Sequence, residues 1–227
     1  MLRHNLKYSI IEGSFFALMF GLGENYLSAL YVFLGFSALK ISILSSFPQL
    51  IGAISQLFTL ELSRMYRSDK SFVVSLSVLQ SLMWFILILI ILNSSNFWVF
   101  LVWATIYFSI LSVIAPVWIS WMGYIVPQRI RPTYHANRNR IIHMCIFLCI
   151  MIGGVILKWL DDNLIYAFSI MFGLGVAGRL VSAFFLSRKS VTERGSDQHA
   201  HTFSEIMRDK VKRVYIMYTT SISFSVM

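Results

Sequence analysis

Charge is what this chain has least of: 13% of its residues are Asp, Glu, Lys or Arg, against 57% that are apolar. A soluble domain cannot hide that much apolar surface, so a water-soluble enzyme or binding module is excluded. Histidine is missing where enzymes of the membrane would need it. No His-Glu-x-x-His motif occurs, as a zinc protease requires, and residues 164 to 187 hold no His to serve an intramembrane serine protease. The two cysteines, Cys145 and Cys149, stand one helical turn apart, which ill suits a strain-free disulfide. No His or acid nearby completes a metal set. We therefore expect no enzyme, no metal and no cofactor, and read both thiols as packing groups.

What fills the chain is long apolar runs, at residues 8 to 32, 38 to 60, 71 to 92, 97 to 125, 141 to 160 and 164 to 187. Each is long enough for a helix to cross a bilayer, which takes roughly 20 residues. None alternates as a membrane strand of about 10 residues would. The reading is an all-α, polytopic transmembrane helical bundle, with the first run retained and not cleaved as a signal peptide. Trp98, Trp118, Trp121 and Trp159 are placed as interfacial anchors.

Basic residues gather in alternate breaks: Arg3 and Lys7, then Arg64, Arg67 and Lys70, then Arg129, Arg131, Arg138 and Arg140, then seven from Arg188 to Arg213. The other loops hold Lys40 and Lys158. The positive-inside rule puts the N-terminus in the cytoplasm, and this asymmetry explains the net charge of +9 without a nucleic-acid partner. Three segments follow: 1–187, a six-helix transmembrane domain; 188–213, a cytoplasmic loop; and 214–227, the truncated start of a seventh helix. Within the loop, Phe203, Ile206, Met207 and Lys210 recur at the spacing of a basic amphipathic helix on the membrane surface. The last run would span about 21 Å, short of the roughly 30 Å hydrocarbon core.

An acid interrupts the first run, in "LMFGLGENYLSAL" at 18 to 30. On a helical wheel Gly13, Ala17, Gly21, Glu24, Ser28 and Tyr31 share one face, and small residues at that rhythm let helices approach or leave a cavity. Glu24 should therefore point into the bundle, where an ionised acid costs roughly 2.5–3.5 kcal/mol on insertion scales. Two readings stand side by side. Either Glu24 forms a fixed ion pair with Arg179, the Arg set well inside a span, or it binds a proton, a cation or a substrate amine. Glu12, off that stripe, is read as structural, within reach of water or Arg179. Pro48 and Pro116 free the carbonyls of Leu44 and Ser112, as static kinks or as gates. No cluster of Arg is legible to specify an anion. Asn25, Gln49, Gln56 and Gln80 are polar groups available to a solute.

The layout resembles the N-terminal half of a major facilitator superfamily (MFS) transporter of bacterial type, over the whole chain. "TLELSRMYRS", 59 to 68, stands where that family carries a Gly-x-Leu-Ala-Asp-Arg-x-Gly-Arg-Arg pattern; Arg64 and Arg67 agree, while Thr59, Ser63, Tyr66 and Ser68 depart. "PVWISWMGYIVPQRIRPTYHANRNRI", 116 to 141, is similar to members reading Trp-x-x-Trp-Met-Gly, Pro, Arg-Gly-x-Tyr and Arg. Trp118, Trp121, Met122, Gly123, Pro127, Arg131, Tyr134 and Arg138 match, with Pro132 in place of Gly. "EGSFFALMFGLGENYLSAL" in the first span is also similar.

The resemblance implies a secondary active transporter of the bacterial inner membrane, moving a small solute by alternating access between two six-helix halves. Glu24, Asn25 and Arg179 would bind solute or proton. Arg64, Arg67, Pro127, Arg131, Tyr134 and Arg138 would belong to gating loops. The partners implied are the bilayer, a small-molecule solute, protons, and a missing C-terminal half or a second copy. The alternative is a non-transporting remnant or half-size membrane protein acting as a dimer or interaction partner.

Overall fold

The computed structural model describes residues 2–190, every regular element of which is helical. The expected surface helix at 203 to 213 and the seventh run at 214 to 227 lie outside these residues. In order the elements are α1 (Leu2–Leu22), α2 (Leu27–Phe33), α3 (Ala38–Gln56), α4 (Thr59–Arg64), α5 (Asp69–Asn93), α6 (Phe97–Ile125), α7 (Arg131–Trp159) and α8 (Leu164–Ser187). Short 3-10 turns join α1 to α2, α6 to α7 and α7 to α8. Six helical stretches are long and apolar enough to span a membrane, with α1 and α2 together making the first, Leu2–Phe33.

Helix α1 packs between α7 and α8, α8 reaches α5, α5 reaches α6, and α6 pairs with α3. The first span is the most buried of the six; α3 and α7 are the least. Their outward side chains, among them Leu50 and Ile54 on α3 and Phe147 and Met151 on α7, are exposed and suit lipid or another apolar surface. Between lipid-facing helices there is no hydrophobic drive to associate, so close packing must hold the bundle. Gly52 shows how tight it is: a Cβ there would lie 2.7 Å from Ser112 Oγ and 2.9 Å from the Phe108 carbonyl. The α3 backbone thus rests on α6 one turn before Pro116.

Two buried clusters divide the bundle along its length. One gathers Trp84, Trp103, Tyr107 and Phe172; the other, at the end bearing the N-terminus, gathers Phe72, Trp121, Met122 and Leu186. In the first, Trp103 stacks on Tyr107 at 5.3 Å and Trp84 meets Tyr107 edge-on at 5.3 Å. Such pairs add about 0.5–1.5 kcal/mol each beyond area burial.

Polar residues at the helix ends satisfy free backbone groups. Ser68 Oγ accepts from Ser71 N–H at the start of α5, and Asn96 Oδ1 accepts from Trp98 N–H at the start of α6. Gly35, at φ 75°, makes the turn into α3, a conformation that favours glycine.

Gly52→Leu should lower stability by roughly 1–3 kcal/mol, the usual cost of overpacking, whereas Gly173→Ala, whose added Cβ meets nothing within 4 Å, should leave it unchanged. Thermal unfolding in detergent, followed by the reactivity of the buried Cys149 thiol, reads both.

Candidate functional site: buried charges around a central cavity

The first span is not one continuous helix. Helix α1 stops at Leu22, Glu24–Tyr26 form a 3-10 turn, and α2 resumes at Leu27. Gly23 permits the break: a Cβ on it would sit 2.6 Å from Trp84 Cη2, so any other residue would push the indole away. Asn25 is exposed and donates its Nδ2–H to the Phe20 carbonyl at 2.9 Å, closing the end of α1. Tyr26 reaches across to donate to the Ile150 carbonyl on α7. Beyond the break the wheel holds in part, since Gly13, Ala17, Gly21 and Tyr31 are buried but Ser28 is exposed.

Glu24, half-buried at this break, accepts a hydrogen bond from the fully buried Tyr107 hydroxyl. A fixed Glu24–Arg179 ion pair is not formed. Arg179 instead donates from Nη2 to Ser77 Oγ at 2.9 Å and from Nη1 to Ser182 Oγ at 3.4 Å, with its guanidinium 5.0 Å over the Phe16 ring. Gln80, one turn further along α5 from Ser77, is fully buried with neither side-chain amide atom partnered.

Nearer the N-terminal end, Glu12 has the partners expected of a buried carboxylate. Its Oε1 accepts from Arg138 Nη2 at 3.0 Å and from Lys189 Nζ at 3.1 Å, while Oε2 lies 3.5 Å from Ser182 Oγ. Arg138 also donates from Nε to the Ser9 carbonyl and hydroxyl, both at 3.1 Å, and lies 4.5 Å over Trp118. Burial pushes the Lys189 ammonium below the usual lysine value, and Glu12 opposes that shift.

The segment from the end of α6 into α7 forms one latch. Arg131 donates to the carbonyls of Gly123 and Val126, capping the C-terminus of α6. Tyr134 donates to the Leu6 carbonyl at 3.1 Å, Arg138 holds α1, and Pro127 precedes the 3-10 turn that leads into α7. Arg64 and Arg67, by contrast, are exposed at the end of α4 and beyond it.

Between α1, α5, α6, α7 and α8 lies a cavity of about 270 Å³. Glu12, Arg138 and Arg179 reach it, and Phe16, Leu111 and Trp118 are among its apolar walls. This corrects one expectation: two arginines from distant spans do converge, and Lys189 stands behind them on Glu12. Tyr107, Ser77, Ser182 and Lys189 were not singled out by sequence. Lys189 had counted only as a flanking positive charge, and the others carry no charge to draw notice.

No protein-family model, curated protein or solved structure matches the chain.

Glu12→Gln would leave Arg138 and Lys189 buried without a carboxylate, a loss expected to cost about 3–5 kcal/mol. Lys189→Met on that background should recover part of it. The same thiol-reactivity melts distinguish the two.

Proposed function

We propose that the chain is the six-helix half of an MFS-like secondary active transporter, in which Glu24 exchanges a proton as the solute cavity alternates between the two faces of the membrane. The observation that carries this reading is the break at Gly23–Tyr26, which sets a carboxylate against Tyr107 inside the bundle. Acids at that position are costly in lipid and are tolerated where they face a cavity, a relay or a partner. Broken helices within membranes likewise occur where the backbone lines a binding region.

In this reading the N-terminus is cytoplasmic and the membrane is the bacterial inner membrane. Arg138 and Lys189, by holding Glu12, fasten the cytoplasmic end of the half as a rigid unit. Glu24 and Tyr107 exchange the proton further in. A second bundle, from another six-helix half or a second copy, provides the facing wall. The exposed apolar faces of α3 and α7 are the surfaces it would meet. These same faces support the alternative, a non-transporting protein that pairs through them.

Everted vesicles carrying an acid-quenched dye test the reading. When small anions, cations and neutral solutes are offered in turn, wild-type protein should release the quench with at least one class. Glu24→Gln should abolish that release at equal protein level, and Tyr107→Phe should weaken it. Release that Glu24→Gln leaves intact removes Glu24 from coupling; silence across all three classes overturns transport by this chain.

A further inference from the structure

The carboxylate balance of the cavity is uneven. Arg138 and Lys189 share a single oxygen of Glu12, and Arg179 forms no ion pair among the described residues. Glu12 and Glu24 act on Arg179 only through space, and Glu24 is hydrogen-bonded to Tyr107. Two cations therefore contact one carboxylate directly, and the third, Arg179, contacts none.

Arg179 is the exceptional member. It is 4% exposed and lines the cavity, yet its Nε has no hydrogen-bond partner, its two hydrogen bonds go to neutral serine hydroxyls, and its other neighbour is the Phe16 ring. A guanidinium offers five N–H donors in a planar fork that matches a carboxylate or phosphate. A buried charge whose counter-charges act only at a distance is unfavourable, so such a group favours an anion in direct contact. The remaining wall is apolar and aromatic, with Phe16, Leu111, Ile114 and Trp118 in reach of whatever body carries that anion.

We propose that this cavity binds an anion carried on an apolar body, with Arg179 receiving the charge, Arg138 supporting it from α7, and the Phe16–Trp118 region enclosing the apolar part. The proposal rests on the transport reading and names its class of solute. The shared chemistry is an anionic head on a hydrophobic body. Its source is either a soluble organic acid or the headgroup of an anionic lipid.

The test uses the full chain in phosphatidylcholine nanodiscs, with tritiated 2-naphthoate as the probe and 2-naphthamide as its neutral counterpart. Naphthoate should bind saturably and the amide about 10- to 100-fold more weakly, the weight of one charge-assisted contact. Arg179→Gln should bring naphthoate to the level of the amide, and Arg179→Lys should restore part of the difference. Leu111→Trp, which fills the cavity and keeps the charges, should exclude both probes. Displacement of naphthoate when phosphatidylglycerol is added to the discs assigns the site to a lipid head, and unchanged binding assigns it to a soluble acid; both support an anion site. Absence of naphthoate binding, equal binding of the amide, or binding that survives both Arg179→Gln and Leu111→Trp overturns it. Because binding is read without a gradient, bound naphthoate with no solute-driven proton movement overturns transport alone. Proton movement with no bound naphthoate overturns the anion site alone.

Discussion

The carboxylate of Glu12 is the point on which the N-terminal end of the bundle depends. It joins α1 to α7 through Arg138, to the end of α8 through Lys189, and to α8 itself through Ser182. Hydrocarbon offers no water to satisfy a polar group, so each ion held there must be answered by protein. One acid shared by two bases makes three chain segments mutually dependent. Lys189 is itself tied in, since its carbonyl accepts from Lys70 Nζ at 2.7 Å. Asn5 and Ser190 bond each other reciprocally alongside.

The spans were legible because hydropathy is a local property. The run expected at 97 to 125 is α6, Phe97–Ile125, and that at 164 to 187 is α8, Leu164–Ser187. The two starts that differ most are those where polar or charged side chains are buried. The fifth span was expected from 141, yet α7 begins at Arg131 because its first turns carry Tyr134 and Arg138 into the interior. The first was expected from 8, yet α1 begins at Leu2, with Asn5 buried against Ser190. Hydropathy subtracts a charged residue from a span; it has no means of registering that a partner from elsewhere neutralises it.

What was legible in the candidate site was the interior placement of single residues and not their pairing. Glu24 and Arg179 do lie inside, as their position in apolar runs required. Their partners were not readable, because Glu24 meets Tyr107 83 positions away and Arg179 meets Ser77 102 positions away, and no local pattern encodes such a meeting. The helical wheel assumes one unbroken period, which Gly23 interrupts; it misplaces Ser28, yet Glu24 turns to the buried Tyr107 and Tyr31 is buried.

The distance between Glu12 and its partners along the chain also sets an order of events during synthesis. The first span is made carrying its acid well before Arg138, which lies 126 residues after Glu12 in the chain. Until then Glu12 must remain hydrated, stay protonated or be sheltered by the insertion machinery. The arrival of α7 satisfies the acid once, and the emergence of Lys189 satisfies it again. Helix α1 is thus translated before α7 and α8 and settled only after them, an early helix that waits on later ones for a permanent place.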